Sequence, residues 1–130
     1  MTNTNIDISR IHGLRILVIE DDTVSRIFLR ELLTLSQAQI DYARSGYEAN
    51  QHFAKGNVPD VVLLDLRLPD ADGVELATTI LKDHPNLPII AQTAYVSVGM
   101  EERCMNAGIK AFIAKPIKKA QLLELLLQFA

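Results

Sequence analysis

Four short apolar runs, each followed at once by a polar side chain, constrain the fold of this chain more than any other feature. The runs occupy residues 15–19, 61–64, 88–92 and 111–114. Runs of this length that are apolar nearly throughout are typical of strands buried on both faces of a parallel sheet. The polar residues that follow or end them include Glu20, Asp21, Asp65, Thr93 and Lys115. Because parallel strands end at the same edge of a sheet, we expect these side chains to gather there.

Helical spacing between the runs completes an alternating pattern of strands and helices. The predicted helices cover residues 23–35, 46–56, 73–84, 98–107 and 118–129, and a half-polar run at 39–43 predicts an edge strand. Strict alternation favours right-handed crossovers. The sequence therefore predicts an α/β fold with a single doubly wound, flavodoxin-like parallel sheet. Its five strands are expected in the order 2-1-3-4-5, with helices on both faces.

The first and last predicted helices carry distinctive apolar surfaces. Residues Val24, Ile27, Phe28, Leu32 and Leu35 keep helical spacing, which predicts that this face of the first helix is buried. Asp22 stands directly before that helix and is its predicted N-cap. The last helix is apolar over a wider surface than one core stripe needs. This surface fits a helix packed broadly on the sheet, a partner or dimer face, or a helix that continues into another domain.

Length and composition indicate one globular domain. The 130 residues carry a net charge of −3, which argues against a nucleic-acid-binding face. The single cysteine, Cys104, favours a reducing compartment, and no apolar stretch resembles a secretory signal or a membrane span. We therefore expect a cytoplasmic protein whose folded domain makes no membrane contact. Residues 1–13 are predicted to be a flexible N-terminal extension, and residues 14–130 the domain.

The residues expected at the sheet edge fit a site for a divalent cation and a phosphoryl group. Two carboxylates ~4 Å apart repel by roughly 4 kcal/mol at an effective dielectric constant of ~20. A hard dication with oxygen ligands offsets this cost, and Mg2+ favours a few carboxylates together with phosphate oxygens. Each residue alone has an ordinary structural explanation, such as loop polarity, a helix cap or strand propensity. It is their convergence on one edge that indicates a functional site.

Five segments of the sequence resemble the receiver domain of two-component response regulators. They are residues 18–22, 45–49, 64–73, 92–94 and 114–116, and the resemblance covers essentially the whole chain. It implies that Asp65 is the phosphoacceptor and that the donor is a phosphohistidine on a histidine kinase or a histidine phosphotransfer domain. It also implies that Mg2+ is held by Glu20, Asp21, Asp65 and the backbone carbonyl of Arg67, with Glu20 acting partly through water.

The same resemblance implies how phosphorylation acts on the domain. Thr93 would hydrogen-bond a phosphoryl oxygen, and Lys115, ahead of a cis bond to Pro116, would pair first with Asp65 and then with the phosphoryl group. Phe112 stands where many relatives have a tyrosine that moves when the threonine moves. We expect this coupling to alter the face built by the fourth helix, the fifth strand and the fifth helix, which is also a candidate homodimer surface.

Two positions are expected to set the lifetime of the phosphorylated state. Arg67 lies two residues past Asp65, and Tyr95 lies two residues past Thr93. Both side chains are expected to overhang the phosphoryl group and hinder an in-line water. We therefore expect a signalling phosphoacceptor that catalyses its own phosphorylation and slow dephosphorylation. We do not expect it to be an enzyme that turns over a separate substrate.

Other classes of protein fit the sequence less well. A phosphohydrolase of the haloacid-dehalogenase type needs a second Asp two residues after the first, where this chain has Arg67. A nucleotide-binding module needs a Walker or Rossmann glycine motif after the first strand, which this chain lacks. A degenerate receiver normally lacks a site residue. Residues 88–94 resemble receivers of hybrid histidine kinases, and a single-domain response regulator is equally compatible.

Overall fold

Five parallel strands alternate with five α-helices in residues 8–130, the part of the chain that the computed structural model describes. The strands are β1 (Arg15–Ile19), β2 (Gln39–Ala43), β3 (Val61–Asp65), β4 (Ile89–Thr93) and β5 (Ala111–Ala114). The helices are α1 (Thr23–Leu33), α2 (Gly46–Ala54), α3 (Gly73–Asp83), α4 (Val98–Asn106) and α5 (Lys119–Gln128). Neighbouring strands pair in parallel in the order β2-β1-β3-β4-β5, which confirms the predicted doubly wound fold.

The apolar strands are buried on both faces because each face of the sheet has its own core. Leu17 and Ile19 point to the core under α2, α3 and α4, whereas Ile16 and Val18 point to the core under α1 and α5. Successive residues of a strand face opposite sides, so a strand covered by helices on both sides must be apolar throughout. The edge strand β2 is more exposed, as its half-polar sequence predicted.

Helix α1 buries a different face from the one predicted. Leu29, Leu32 and Leu33 are buried, whereas the four other residues of the predicted stripe are exposed by between 46% and 72%. Those four are Val24, Ile27, Phe28 and Leu35. Both sets keep helical spacing and share Leu32, so spacing alone does not choose between them. The helix is also shorter than predicted, because a 3-10 turn at Thr34–Ser36 replaces its last residues.

An N-terminal 3-10 helix, Ile8–Ile11, packs against α5 and accounts for the wide apolar surface of that helix. Ile11 is completely buried in the core of this face. Leu125, Leu127 and Phe129 of the α5 region are half-buried against the same core. The folded part therefore begins before residue 14, where the sequence placed the domain boundary, and the predicted flexibility of residues 1–7 lies outside the described residues. No helix in residues 8–130 combines the length and apolar character needed to cross a bilayer.

The sheet order brings the predicted polar residues to one edge. β1 is flanked by β2 and β3, so the chain winds in opposite directions from the middle of the sheet. The carboxyl ends of β1 and β3 meet at this switch point, where α/β folds form ligand crevices. β4 and β5 follow beside β3, so the ends of four strands are available to build a site.

Candidate functional site

Three carboxylates converge at the switch point between β1 and β3. Glu20 and Asp21 follow β1, and Asp65 is the last residue of β3. One carboxylate oxygen from each residue lies within 4.8 Å of those from the other two. Glu20 is completely buried and Asp65 is 7% exposed, whereas Asp21 is open to solvent. Three clustered oxygen donors with one open side suit a hard divalent cation that keeps part of its water shell, as Mg2+ does.

Lys115 reaches this cluster from the end of β5. Its Nζ donates to Glu20 Oε1 at 2.6 Å and to Asp65 Oδ2 at 3.3 Å. The Lys115–Pro116 peptide bond is cis, as predicted. The family resemblance implied Asp65 as the first partner of the lysine, but the shorter contact is to Glu20. Lys115 therefore ties the two buried carboxylates together.

Burial and crowding shift the charge states of this cluster. Burial, reinforced by Asp65 and opposed by Lys115, raises the pKa of Glu20 to about 7. Burial also acts to lower the pKa of Lys115, but its contacts with Glu20 and Asp65 outweigh burial and raise the pKa overall. Three carboxylates and one ammonium leave an excess of negative charge. A proton on Glu20 or a bound dication relieves that excess.

Backbone amides orient the reactive groups of Asp65 and Thr93. Asp65 Oδ1 accepts a hydrogen bond from the Arg67 N–H at 3.0 Å, which leaves Oδ2 facing Lys115. Thr93, the last residue of β4, is 2% exposed, and its Oγ1 accepts from the Tyr95 N–H at 3.0 Å. The hydroxyl proton of Thr93 is thereby left to donate to another group. Each side chain is held by the N–H of the second residue of the loop that follows its strand.

Arg67 and Tyr95 meet above the loops of β3 and β4. The guanidinium carbon of Arg67 lies 4.1 Å from the centre of the Tyr95 ring, within the range of a cation–π contact. Both residues line a cleft of about 450 Å3 that also contains Thr93, Asp72 and Met100. The sequence predicted that both side chains lie near the site. It gave no sign that they contact each other.

The acidic loop between β3 and α3 is used for helix capping. Asp70 accepts hydrogen bonds from the backbone N–H groups of Gly46 at 2.8 Å and Tyr47 at 3.0 Å, which caps α2. Asp72 accepts from the Val74 N–H at 2.8 Å and caps α3. The hydrogen bonds from Gly46 and Tyr47 lower the pKa of the Asp70 carboxyl. The loop carboxylates thus stabilise helix ends and stay outside the cluster of Glu20, Asp21 and Asp65.

Close packing places α3 directly against the end of β3. A Cβ on Gly73 would lie 2.5 Å from Leu66 Cα and 2.8 Å from the carbonyl oxygen of Asp65. The Gly73 N–H also donates to the Leu66 carbonyl at 3.0 Å. Only glycine permits this approach, so Gly73 fixes the path of the chain where it leaves Asp65.

Arg26 holds the loop that carries Glu20 and Asp21. Its Nη1 donates to the backbone carbonyls of Glu20 at 3.0 Å and Asp21 at 2.9 Å. At the start of the same helix, Asp22 accepts from the Ser25 N–H at 2.9 Å, which confirms it as the N-cap of α1. Arg26 was not identified from the sequence, because no motif connects it to the carbonyls that it binds.

Phe112 and Gln92 lie beside the site without joining the carboxylate cluster. Phe112 is half-buried against the core under α2, α3 and α4, and it pairs in register with Ala91, two residues before Thr93. Gln92 is 1% exposed and is the register partner of Asp65. Neither its Oε1 nor its Nε2 has a hydrogen-bond partner among residues 8–130. Gln92 is thus a buried amide with no structural partner in the described part of the chain.

Comparison with known protein families agrees with this geometry. The family model for the response regulator receiver domain matches residues 16–127. The polar-differentiation response regulator DivK of Brucella ovis is 36% identical over 112 residues, which cover 84% of this chain and 89% of that protein. Residues 16–127, which the family model matches, contain every residue of the site.

Solved structures give the same result. A CheY-like response regulator receiver domain protein from Methanospirillum hungatei has a TM-score of 0.82 and 29% identity, covering 88% of this chain and 91% of that one. The receiver domain of a sensor histidine kinase from Pseudomonas aeruginosa PAO1 has a TM-score of 0.80 and 31% identity, covering 90% and 97%. That structure holds a magnesium ion in its active site cleft. The relatives thus include a response regulator and a kinase-attached receiver, the two settings that the sequence left open.

Proposed function

The chain belongs to the response regulator receiver domains, and we propose from this premise that it accepts a phosphoryl group from a phosphohistidine on Asp65. The observation that carries the proposal is the position of Asp65 between Lys115 and the acidic pair. One carboxylate oxygen faces an ammonium group, and two further carboxylates lie within reach of a shared cation. This combination supports phosphoryl transfer better than either feature alone.

We propose that Glu20, Asp21, Asp65 and the backbone carbonyl of Arg67 would hold Mg2+, and the convergence of the three carboxylates supports this set. When bound, Mg2+ would neutralise charge on the transferring phosphoryl group and on the carboxylates. A carboxylate oxygen of Asp65 attacks phosphorus, the bond from phosphorus to the imidazole nitrogen breaks, and the electron pair of that bond stays on the nitrogen. The product is an acyl phosphate on Asp65 and a free histidine on the donor.

Two side chains receive the new phosphoryl oxygens. The Lys115 ammonium already donates to Asp65 Oδ2, so a small movement transfers that hydrogen bond to a phosphoryl oxygen. The Thr93 hydroxyl proton has the freedom to donate in the same way, since its oxygen already accepts from Tyr95. Both contacts strengthen as negative charge accumulates on the phosphoryl group. We assign Lys115 and Thr93 to phosphoryl binding for this reason.

We place the histidine donor, a kinase or a histidine phosphotransfer domain, on the groove between α1 and the loop after β5. This groove of about 400 Å3 is lined by Lys115, Pro116, Gln92, Val24 and Phe28, among others. Val24 is 72% exposed and Phe28 is 47% exposed. Because Lys115 belongs to both groove and site, a partner seated here brings its histidine towards Asp65. An apolar helix face is the matching surface.

Replacement of Phe28 tests this placement. Phe28→Ala should slow phosphoryl transfer from a phosphorylated donor protein, since it removes exposed apolar contact area. Phosphorylation by acetyl phosphate should stay unchanged, because a small donor needs no docking surface. Tyr47→Ala is the control, since Tyr47 is 65% exposed on α2 and lies outside the groove. Equal slowing by the Phe28 and Tyr47 variants would rule out the groove as the donor surface.

We propose that phosphorylation is read through α4, β5 and α5. Val96, Val98 and Met105 of the α4 region are 54%, 78% and 51% exposed, whereas the apolar residues of α5 are largely covered. The partner or homodimer contact would therefore rest mainly on α4. Movement of Thr93 towards the phosphoryl group would let Phe112 repack beside Ala91. An unchanged Phe112 rotamer with a phosphate mimic bound would exclude this coupling.

The same site disfavours a phosphohydrolase. The position two residues after Asp65 holds Arg67, which stacks on Tyr95 and supplies no general acid. The domain would then catalyse only its own phosphorylation and slow dephosphorylation, in the cytoplasm where histidine kinases present their phosphohistidines. Sustained turnover of a generic phosphomonoester such as p-nitrophenyl phosphate would favour the hydrolase.

Intact mass after incubation with Mg2+ and acetyl phosphate tests the main proposal. The wild-type chain should gain the mass of one phosphoryl group, and Asp65→Asn should gain none. Asp70→Asn is a matched control, since Asp70 caps α2 and lies outside the carboxylate cluster. A wild-type chain that stays unmodified, or an Asp65→Asn chain that gains the same mass, would contradict the assignment.

A further inference from the structure

A positively charged cleft lies on the opposite side of α1 from the proposed donor groove. It has a volume of about 330 Å3 and lies between α1 and the edge strand β2. Its lining is Thr23, Arg26, Ile27, Arg30, Tyr42 and Arg44. Half of these residues are arginines, in a chain whose net charge is −3. The concentration of positive charge therefore runs against the overall charge of the protein.

None of the three arginines has an ionic partner within residues 8–130, and the guanidiniums of two of them also make no hydrogen bond there. The salt bridges of the described residues involve His52, Arg103 and Lys115, and neither Arg30 nor Arg44 takes part. Arg30 and Arg44 make hydrogen bonds through their backbone atoms, to the Thr34 hydroxyl and the Glu48 carboxylate respectively. Arg26 differs, since its guanidinium binds the Glu20 and Asp21 carbonyls. Like charges held in one cleft repel, and a bound anion relieves that repulsion.

Tyr42 supplies an aromatic wall to the cleft. It pairs in register with Val18, so its side chain lies on the α1 side of the sheet. Burial raises the pKa of the Tyr42 hydroxyl, and the charges of Arg30 and Arg26 oppose that rise. Both arginines line the cleft together with Tyr42. Tyr42 is still 36% exposed, so part of its ring is open to a ligand.

We propose that this cleft binds a diphosphate group, with Arg30 and Arg44 as its main ligands. A guanidinium presents two parallel N–H donors that match two oxygens of one phosphate. Two unpaired guanidiniums therefore suit two linked phosphates better than a single carboxylate. The volume of the cleft lies in the range of small-molecule sites. The diphosphate can be inorganic or part of a nucleotide, whose base would stack on Tyr42.

The cleft and the phosphorylation site share one residue. Arg26 lines the cleft and also holds the backbone of Glu20 and Asp21. An anion beside Arg26 can thus act on the loop that carries two of the three clustered carboxylates. For this reason Arg26 is left intact in the test, and binding is measured without Mg2+. With these choices, the measured affinity reports on the cleft and not on Mg2+ binding at Asp65.

The experiment is calorimetric titration of the full chain in EDTA with inorganic diphosphate and, separately, with ADP. Arg30→Gln and Arg44→Gln should each weaken binding of both ligands tenfold or more. Arg103→Gln is the matched control, because it removes the same charge from α4, outside the cleft, and should change affinity less than twofold. Phosphorylation of each variant by acetyl phosphate, with Mg2+ restored, reports that the variant is folded.

The two ligands distinguish the two sources of the diphosphate. Equal affinities for inorganic diphosphate and ADP would assign the cleft to the diphosphate group alone. Tighter binding of ADP that is lost in Tyr42→Leu would assign it to a nucleotide. The proposal is overturned if neither ligand binds at millimolar concentration, if the Arg30→Gln, Arg44→Gln double variant binds as wild type does, or if Lys115→Met abolishes binding. Selective capture of an acidic peptide in place of both ligands would likewise overturn it.

Discussion

Lys115 Nζ lies 2.6 Å from Glu20 Oε1 and 3.3 Å from Asp65 Oδ2, so the lysine is held more closely by the buried glutamate than by the proposed phosphoacceptor. Glu20 Oε2 also accepts from the Asp22 N–H at 3.3 Å, which fixes the orientation of this carboxylate. The arrangement holds Lys115 next to Asp65 in the unphosphorylated protein. We therefore propose two roles for Glu20, to position the lysine and to offer an oxygen to the cation.

Glu20→Gln separates these roles, because it keeps the shape and the oxygen but removes the charge. We expect the affinity for Mg2+ to fall about tenfold or more, in line with losses of 10- to 100-fold on changing the groups around a metal. Calorimetric titration with Mg2+ measures the change. Asp22→Asn is the matched control, since Asp22 caps α1 and should alter Mg2+ affinity less than twofold. Unchanged Mg2+ affinity in Glu20→Gln would remove Glu20 from the metal site.

The raised pKa of Glu20 makes Mg2+ binding pH-dependent. The pKa rises from 4.5 to about 7, so the folded, metal-free protein binds a proton that the unfolded chain has released. The contribution of this proton to the free energy of unfolding is fully present below pH 4.5, and it is lost as the pH rises through about 7. Mg2+ requires the carboxylate form, so its binding below pH 7 must release a proton.

Titration with Mg2+ in two buffers of different ionisation enthalpy measures that proton. We expect release approaching one proton per Mg2+ bound at about pH 6 and close to none at about pH 8.5, on either side of the Glu20 pKa. Glu20→Gln should abolish the difference between the two pH values. Equal proton release at both pH values in the wild-type protein would show that another group titrates.

Gly73 links the start of α3 to the end of β3, and an added methyl group tests that contact. The Cβ of Gly73→Ala would overlap Leu66 Cα, a backbone atom that cannot move alone. We expect the free energy of unfolding to fall by about 1–3 kcal/mol, the usual cost of overpacking. Phosphorylation by acetyl phosphate should slow as well, because the displaced backbone carries Asp65. Urea denaturation and intact mass measure the two effects.

The matched control is Gly99→Ala in α4, where no atom lies within 4 Å of the added Cβ. An exposed helical glycine is less stable than alanine by up to about 1 kcal/mol, so this variant should unfold at equal or higher urea concentration. Equal stabilisation by both substitutions would show that α3 does not pack against β3 as closely as described.

Much of this site follows from strand ends alone. Asp65, Thr93 and Lys115 were found because parallel strands stop at a common edge, whatever the loops between them do. The pairing of Lys115 with Glu20 was not found, because it depends on how two side chains 95 positions apart settle between buried strands. Sequence spacing fixes which edge a residue occupies. It does not predict which carboxylate oxygen accepts the shorter hydrogen bond from Lys115.

Helix orientation is harder to predict when a helix is apolar on more than one side. In α1, Leu29 and Leu33 face the sheet, and Val24 and Phe28 face solvent, yet both pairs are four residues apart. The choice is made by the fit against the sheet and by the caps at each end. The N-terminal segment shows the opposite case. Its mostly polar sequence predicted a flexible extension, whereas Ile11 is completely buried.

Gln92 offers a test of stability, because both polar atoms of its buried amide are unpartnered in the described part of the chain. Burying an amide without hydrogen bonds costs about 1–3 kcal/mol. Gln92→Met keeps the length of the side chain and should raise the free energy of unfolding by about 1 kcal/mol. Ser36→Ala is the contrasting variant. Buried Ser36 donates to the Leu33 carbonyl at 2.6 Å, so this substitution should lower the free energy of unfolding. Loss of stability in Gln92→Met would reveal a hydrogen-bond partner for the amide.

The contact between Arg67 and Tyr95 should lengthen the life of the phosphorylated state. The guanidinium sits 4.1 Å from the ring centre, and a cation–π contact at an exposed site contributes about 0.5–1 kcal/mol. If the stacked pair blocks the path of an in-line water, Arg67→Gln and Tyr95→Leu should each speed dephosphorylation by about 2- to 5-fold, the rate change for that energy. The decay of phosphorylated protein, followed by intact mass after removal of acetyl phosphate, gives the rate.

The double variant shows whether the two side chains act as one unit. A stacked pair loses its effect when either member is removed, so Arg67→Gln with Tyr95→Leu should decay no faster than the quicker single variant. Independent screening would instead multiply the two effects. Tyr47→Leu is the control, because it removes another exposed tyrosine ring, on α2, and should leave the decay unchanged. Slower decay in either single variant would mean that the pair assists the attacking water, the reverse of the role assigned here.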